Sequence, residues 1–167
     1  GLATYNRKTD DFSTYSHQVN DEESLSDNVV QHIFFDNTGA MWVSTRFGGV
    51  NFYDPRQKDF YHYEQNILDE NILPGNNVTS FAEGEDGRIW VSIDGGGLCY
   101  LDRDKNHFTH FTPQENTSRS IANNKVLALE KDSEGFLWIG YWGEGLSRYN
   151  PETGKFKHFK HDPSNLN

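Results

Sequence analysis

Trp42, Trp90 and Trp138 follow one another at intervals of 48 residues, and that interval governs the whole chain. Gly39, Gly87 and Gly135 keep it, as do Gly49, Gly97 and Gly145. So do Asn28, Asn76 and Asn124; Val30, Val78 and Val126; Phe60, Phe108 and Phe156; and His62, His110 and His158. Three copies, 26–63, 74–111 and 122–159, run without insertion or deletion. Residues 1–15, "GLATYNRKTDDFSTY", stand 48 positions ahead of "GVNFYDPRQKDFYHY" and make half a copy more. A period of roughly 40–50 residues leaves two architectures, the propeller and the solenoid.

The pattern inside a unit separates them. In the middle copy "NVTSFAE" (77–83) reads as a strand, with Val78, Ser80 and Ala82 expected on one face. "GEDG" (84–87) is a tight turn, "RIWVSI" (88–93) a second strand and "DGGG" (94–97) a second turn. "LCYLD" (98–102) and "HFTHF" (107–111) complete four short antiparallel strands, which is one propeller blade. No segment holds a 3.6-residue apolar stripe for three turns, so helical repeats are disfavoured. The expected fold is all-β: a propeller piece of a half blade, strands three and four in 1–15, and three full blades. Residues 160–167 begin a link toward a further blade. Three and a half units are too few to close a ring of about four to eight blades.

Composition agrees. Only 34% of the residues are apolar while 14% are aromatic and 15 are glycine, a mixture suited to short strands and turns. A formal charge of −10 opposes contact with nucleic acid, which needs clustered Lys and Arg. No run of 18 apolar residues is present, so a membrane is reached only through other parts of a parent chain. The single cysteine, Cys99, excludes an internal disulfide and leaves the compartment undecided.

The third copy also carries a resemblance. Asn124, Val126, Asp132, Gly135, Leu137, Trp138, Ile139, Gly140, Gly145, Leu146, Arg148, Tyr149, Pro151 and Phe156 follow the pattern of the two-component regulator propeller repeat, which the whole chain resembles. The family's Gly-Thr after the tryptophan is Ser44-Thr45, Ser92-Ile93 and Gly140-Tyr141 here, and Glu144 replaces the first of its paired glycines. The resemblance implies the periplasmic sensor region of a hybrid two-component regulator. It further implies recognition of an oligosaccharide and signalling, through a dimer, to a cytoplasmic histidine kinase and a DNA-binding module.

Scaffold should recur and function need not. The tryptophans at the repeat interval read as wedges between blades, and the glycines beside them as turn residues. The three repeated histidines fall on separate outer strands, too far apart to share a metal, and no metal or cofactor is expected. No nucleophile elbow or Cys–His pair suggests catalysis. What breaks the repeat is the loop between strands two and three: Arg46-Phe47-Gly48, then Asp94-Gly95-Gly96, then Tyr141-Trp142-Gly143-Glu144. Arg46, Phe47, Asp94, Tyr141, Trp142 and Glu144 are the candidate ligand contacts, because aromatics stack on sugars and charged groups grip hydroxyls. The same residues would equally suit contact with a neighbouring blade or domain. A propeller serving only as an interaction scaffold, and a propeller lyase or glycosidase, stand as alternatives to the sensor. Open blade edges at both ends are expected to favour self-association, to a dimer or beyond.

Overall fold

A computed structural model describes residues 1–56, 59–66, 68–69 and 71–161; of the expected terminal link, 162–167 lie outside the described residues. Two strands, β1 (Leu2–Asn6) and β2 (Asp11–Tyr15), form an antiparallel hairpin. Three four-stranded antiparallel meanders follow. Blade 1 contains β3 (Val30–Phe35), β4 (Met41–Thr45), β5 (Val50–Tyr53) and β6 (Phe60–Tyr63). Blade 2 contains β7 (Val78–Glu83), β8 (Ile89–Ile93), β9 (Gly97–Asp102) and β10 (His107–Phe111). Blade 3 contains β11 (Val126–Lys131), β12 (Leu137–Tyr141), β13 (Leu146–Asn150) and β14 (Lys155–Phe159). The first strands β3, β7 and β11 approach one another, so they line the inside of an arc. The chain is a β-propeller segment.

One detail departs from strict alternation. Each first strand carries a bulge, between Val30 and His32, Val78 and Ser80, and Val126 and Ala128. An extra residue shifts the pleat by one position. Val78 therefore does not share a face with Ser80 and Ala82. It packs with Phe81 against blade 1, whereas Ala82 packs against blade 3. The bulged residue Thr79 turns its hydroxyl to Val126 O of the next blade at 2.9 Å.

Apolar side chains fill the seams. Trp42 is buried among Phe52 and Tyr63 of its own blade and Phe81 of the next. Trp90 meets Tyr100 and Phe111 of blade 2 and the edge of Tyr149 of blade 3, 5.2 Å between ring centres. Trp138, which has no blade beyond it here, is half-buried and stacks only on Phe159 of its own sheet. From the links between blades, Leu73 and Ile121 insert into the same seams. Room for them comes from glycine: Gly97 sits at φ +82°, and a Cβ there would stand 2.9 Å from Phe111 O and 3.1 Å from Ile121 Cδ1.

Each tryptophan is also anchored, or not, at its N–H. Trp42 Nε1 donates to Asp36 Oδ2 at 2.9 Å, and Trp138 Nε1 to Asp132 Oδ2 at 2.7 Å. Burial pushes the Asp36 carboxyl up, but hydrogen bonds from Thr38, Trp42 and Ala40 hold it below the usual range. Arg103 from blade 2 closes that seam, with Nη1 2.9 Å from Asp36 Oδ2 and its guanidinium over the Trp42 ring. In blade 2 the aspartate position is Gly84.

The two ends of the arc are uncovered and unlike. At one, Tyr5 and Phe12 are 50% and 64% exposed, although their equivalents Tyr149 and Phe156 are buried. At the other, Leu146 is 47% exposed while its equivalent Leu98 is fully buried.

Candidate functional site

The loops between second and third strands hang from one repeated backbone bond. Arg46 N donates to Val29 O, Asp94 N to Asn77 O and Trp142 N to Lys125 O, each at 3.0 Å. These bonds tie every such loop to the end of the link entering the same blade, so loops and links share one face of the arc. They also show that Arg46, Asp94 and Trp142 are equivalent positions. A fixed backbone thus presents a cation, an acid and an indole on three successive blades, and the chemistry varies where the geometry does not.

Side-chain placement sorts the six candidates. Trp142 and Phe47 are strongly exposed, 68% and 64%, and have no scaffold role that would account for their size. The guanidinium of Arg46 lies 5.4 Å from the centre of the Phe47 ring, a cation–π pair that is open to solvent. Asp94 Oδ2 accepts a hydrogen bond from Asn77 at 3.2 Å, which holds the carboxylate against its link. Glu144 pairs with Lys160 at 2.6 Å near the open end of blade 3, an exposed ion pair of little energetic weight.

Tyr141 leaves the set. It is the equivalent of Thr45 and Ile93, both buried, and its ring packs in the seam between blades 2 and 3. Its hydroxyl accepts a hydrogen bond from Ala122 N at 3.4 Å, and burial pushes that hydroxyl's pKa up. A side chain so enclosed cannot stack on a ligand.

The remaining five stand on one face without enclosing a cavity among the described residues. A larger concavity, about 640 Å³, runs along the inside of the arc where β3, β7 and β11 approach. His32, Glu83 and Glu130 line it. Burial pushes the His32 imidazole below its usual pKa, against the opposing pull of Glu130. Sequence reasoning passed over these residues. The signal that points to them is the bulge, because the residues after it alternate between seam and axis in a phase that plain periodicity misses.

The profile of the two component regulator propeller family matches residues 24–47, 72–95 and 120–143, again at the 48-residue interval. None of the curated proteins matches the sequence. Among solved structures, the extracellular domain of a hybrid two component system from B. thetaiotaomicron is similar over 95% of this chain and 24% of its own length, with 23% identity and a TM-score of 0.79. A second such domain from that organism is similar over 87% of this chain and 20% of its own, with 24% identity and a TM-score of 0.69. A virginiamycin B lyase from Staphylococcus aureus shares 14% identity over 96% of this chain and 48% of its own, with a TM-score of 0.70. At such identities the likeness is one of fold. The chain spans about a quarter of the extracellular domains it matches.

Proposed function

The chain carries three two-component regulator propeller repeats, and on that premise we propose that it is part of the extracytoplasmic sensor domain of a hybrid two-component regulator. The observation that supports this reading is the position just after the second strand, held by the same backbone bond in each blade and occupied in turn by Arg46, Asp94 and Trp142. Function is grafted onto scaffold in this way when successive blades contribute different groups to one surface.

An exposed indole, a second exposed ring and an arginine suit an oligosaccharide. The rings offer flat apolar faces to the C–H faces of a sugar, and charged groups hydrogen-bond its hydroxyls. The ligand would lie across the loop face, spanning blades 1 to 3, and its arrival would be signalled to a histidine kinase outside this segment. No helix among the described residues is long and apolar enough to cross a membrane, so an anchor would lie elsewhere in the parent protein. The periplasm is the compartment this reading requires.

Arg46→Ala and Trp142→Ala in the complete ectodomain test the proposal. Each is expected to weaken glycan binding about tenfold or more, measured by calorimetry on a hit from a glycan array, without moving Tm. Unchanged affinity in both variants would remove this loop face from consideration and favour the reading of a scaffold that only binds other proteins.

A further inference from the structure

The seam between blades 1 and 2 is filled by a pair of residues that the next seam lacks. Asp36 accepts the Trp42 N–H, and Arg103 reaches across from blade 2 to close over both. The equivalents in the seam between blades 2 and 3 are Gly84 and Pro151. One has no side chain and the other cannot reach or donate. In their place is a cavity of about 260 Å³, whose lining includes Gly84, Trp90, Leu137, Tyr149 and Pro151. Both bounding blades are complete, so it owes nothing to the open ends of the arc.

Two polar groups face the space vacated by the aspartate: a Cβ on Gly84 would stand 2.7 Å from Asp86 Oδ1 and 3.4 Å from Trp90 Nε1. Among the described residues the Trp90 N–H has no hydrogen-bond partner, in contrast to those of Trp42 and Trp138. Trp90 is 5% exposed and its N–H opens on the cavity, where an acceptor brought by a ligand can reach it. The walls are an indole, a phenol ring, a leucine and a proline, which favour a flat apolar body. The lining also holds Glu83, Glu85 and Glu152 against Lys131, while Arg88 is engaged by Asp86 at 3.0 Å. That surplus of carboxylates repels anions. A cation gains little, because Asp86, the acid nearest the indole, is already paired with Arg88, and the indole N–H itself repels a donor.

We propose that the seam between blades 2 and 3 is a binding site for a small uncharged single-ring molecule whose carbonyl or hydroxyl oxygen accepts the Trp90 N–H. Ordinary ligand pockets run from roughly 300 to 1,000 Å³, so this one takes a single ring and little more. It is formed by turns at the opposite ends of the strands from the variable loops. It is therefore separate from the loop surface assigned above and stands or falls without it.

Three isosteric probes read out the chemistry: benzamide is neutral with an acceptor, benzoate is anionic with acceptors, and benzamidine is cationic with donors alone. Each is titrated into the ¹⁵N-labelled chain while the indole N–H signals are followed. Benzamide is expected to shift the Trp90 signal selectively, with a dissociation constant in about the millimolar range usual for so small a molecule. Benzoate and benzamidine should bind at least about fivefold more weakly. Gly84→Asp rebuilds the arrangement of Asp36 and Trp42 inside the cavity and should abolish the shift. The backbone at Gly84 is not in the left-handed region, and the nearest obstacle to a Cβ is the end of the Asp86 side chain, so this variant should keep its fold and its Tm. Should it fail to fold, Pro151→Arg, which places a long cation over the opening, replaces it as the blocking variant. The proposal is overturned if benzamide leaves the Trp90 signal unmoved, if benzoate or benzamidine binds as well, or if the folded blocking variant still responds.

Discussion

At the scale of the residue, the repeated tryptophans differ in what surrounds them, and their energetic weights should differ accordingly. Trp90 is buried between blades 2 and 3 with aromatic partners from both. Trp90→Ala removes a large apolar surface from a seam that cannot collapse without moving a blade. It should cost about 3–5 kcal/mol in urea unfolding. Trp138 is half-buried and has partners in its own sheet only, so Trp138→Ala should cost about 1–2 kcal/mol. Equal losses for the two would contradict the assignment of these rings to the seams. The anchoring aspartate was open to discovery in the sequence, since Asp36 and Asp132 keep the interval and Gly84 breaks it. Its meaning was not. Only the folded chain brings position 84 beside an indole and position 151 across the seam from it.

At the scale of the element, the blades follow closely from alternation and turn chemistry: in the middle copy strand four, 107–111, is observed with the bounds its sequence pattern suggests. The bulges were not legible. Strict alternation of apolar residues puts Val78 with Ser80, and nothing local says that Thr79 is a supernumerary residue. In blade 2 the bulged residue makes a contact 47 residues away, the bond from the Thr79 hydroxyl to Val126 O, whereas Leu127 takes the same bulge in blade 3 without a hydroxyl. Thr79→Val keeps the shape and removes that bond together with the one to the Ser92 hydroxyl, which keeps its bond to Ser80 O, and should destabilise by about 1 kcal/mol. A neutral substitution would mean that the bond adds nothing to the packing of the seam. Tyr141 was misread for a related reason. Taken as part of an irregular loop it looks presented, whereas counting 48 back to Ile93 and Thr45 places it inside.

At the scale of the whole molecule, the bare ends of the arc govern how this segment behaves in isolation. Tyr5 and Phe12 occupy the positions whose equivalents, Tyr149 and Phe156, press on the preceding blade. At the far end Trp138 and Phe159 occupy the positions of Trp90 and Phe111, which receive those rings. Each end therefore offers what the other end of a second copy lacks, and the segment is expected to self-associate through them. Light scattering should show a mean mass that rises steadily with concentration across the micromolar range, and Phe12→Asp should suppress the rise. A constant monomeric mass would refute it. The unlikeness of the ends has a consequence in symmetry. A surface that is not its own complement cannot make a single contact about a two-fold axis, so head would meet tail, and short of ring closure each addition would leave a fresh head and a fresh tail. Growth of that kind ends only when the turn per copy brings the chain of copies back upon itself. Otherwise it would wind on as a helix.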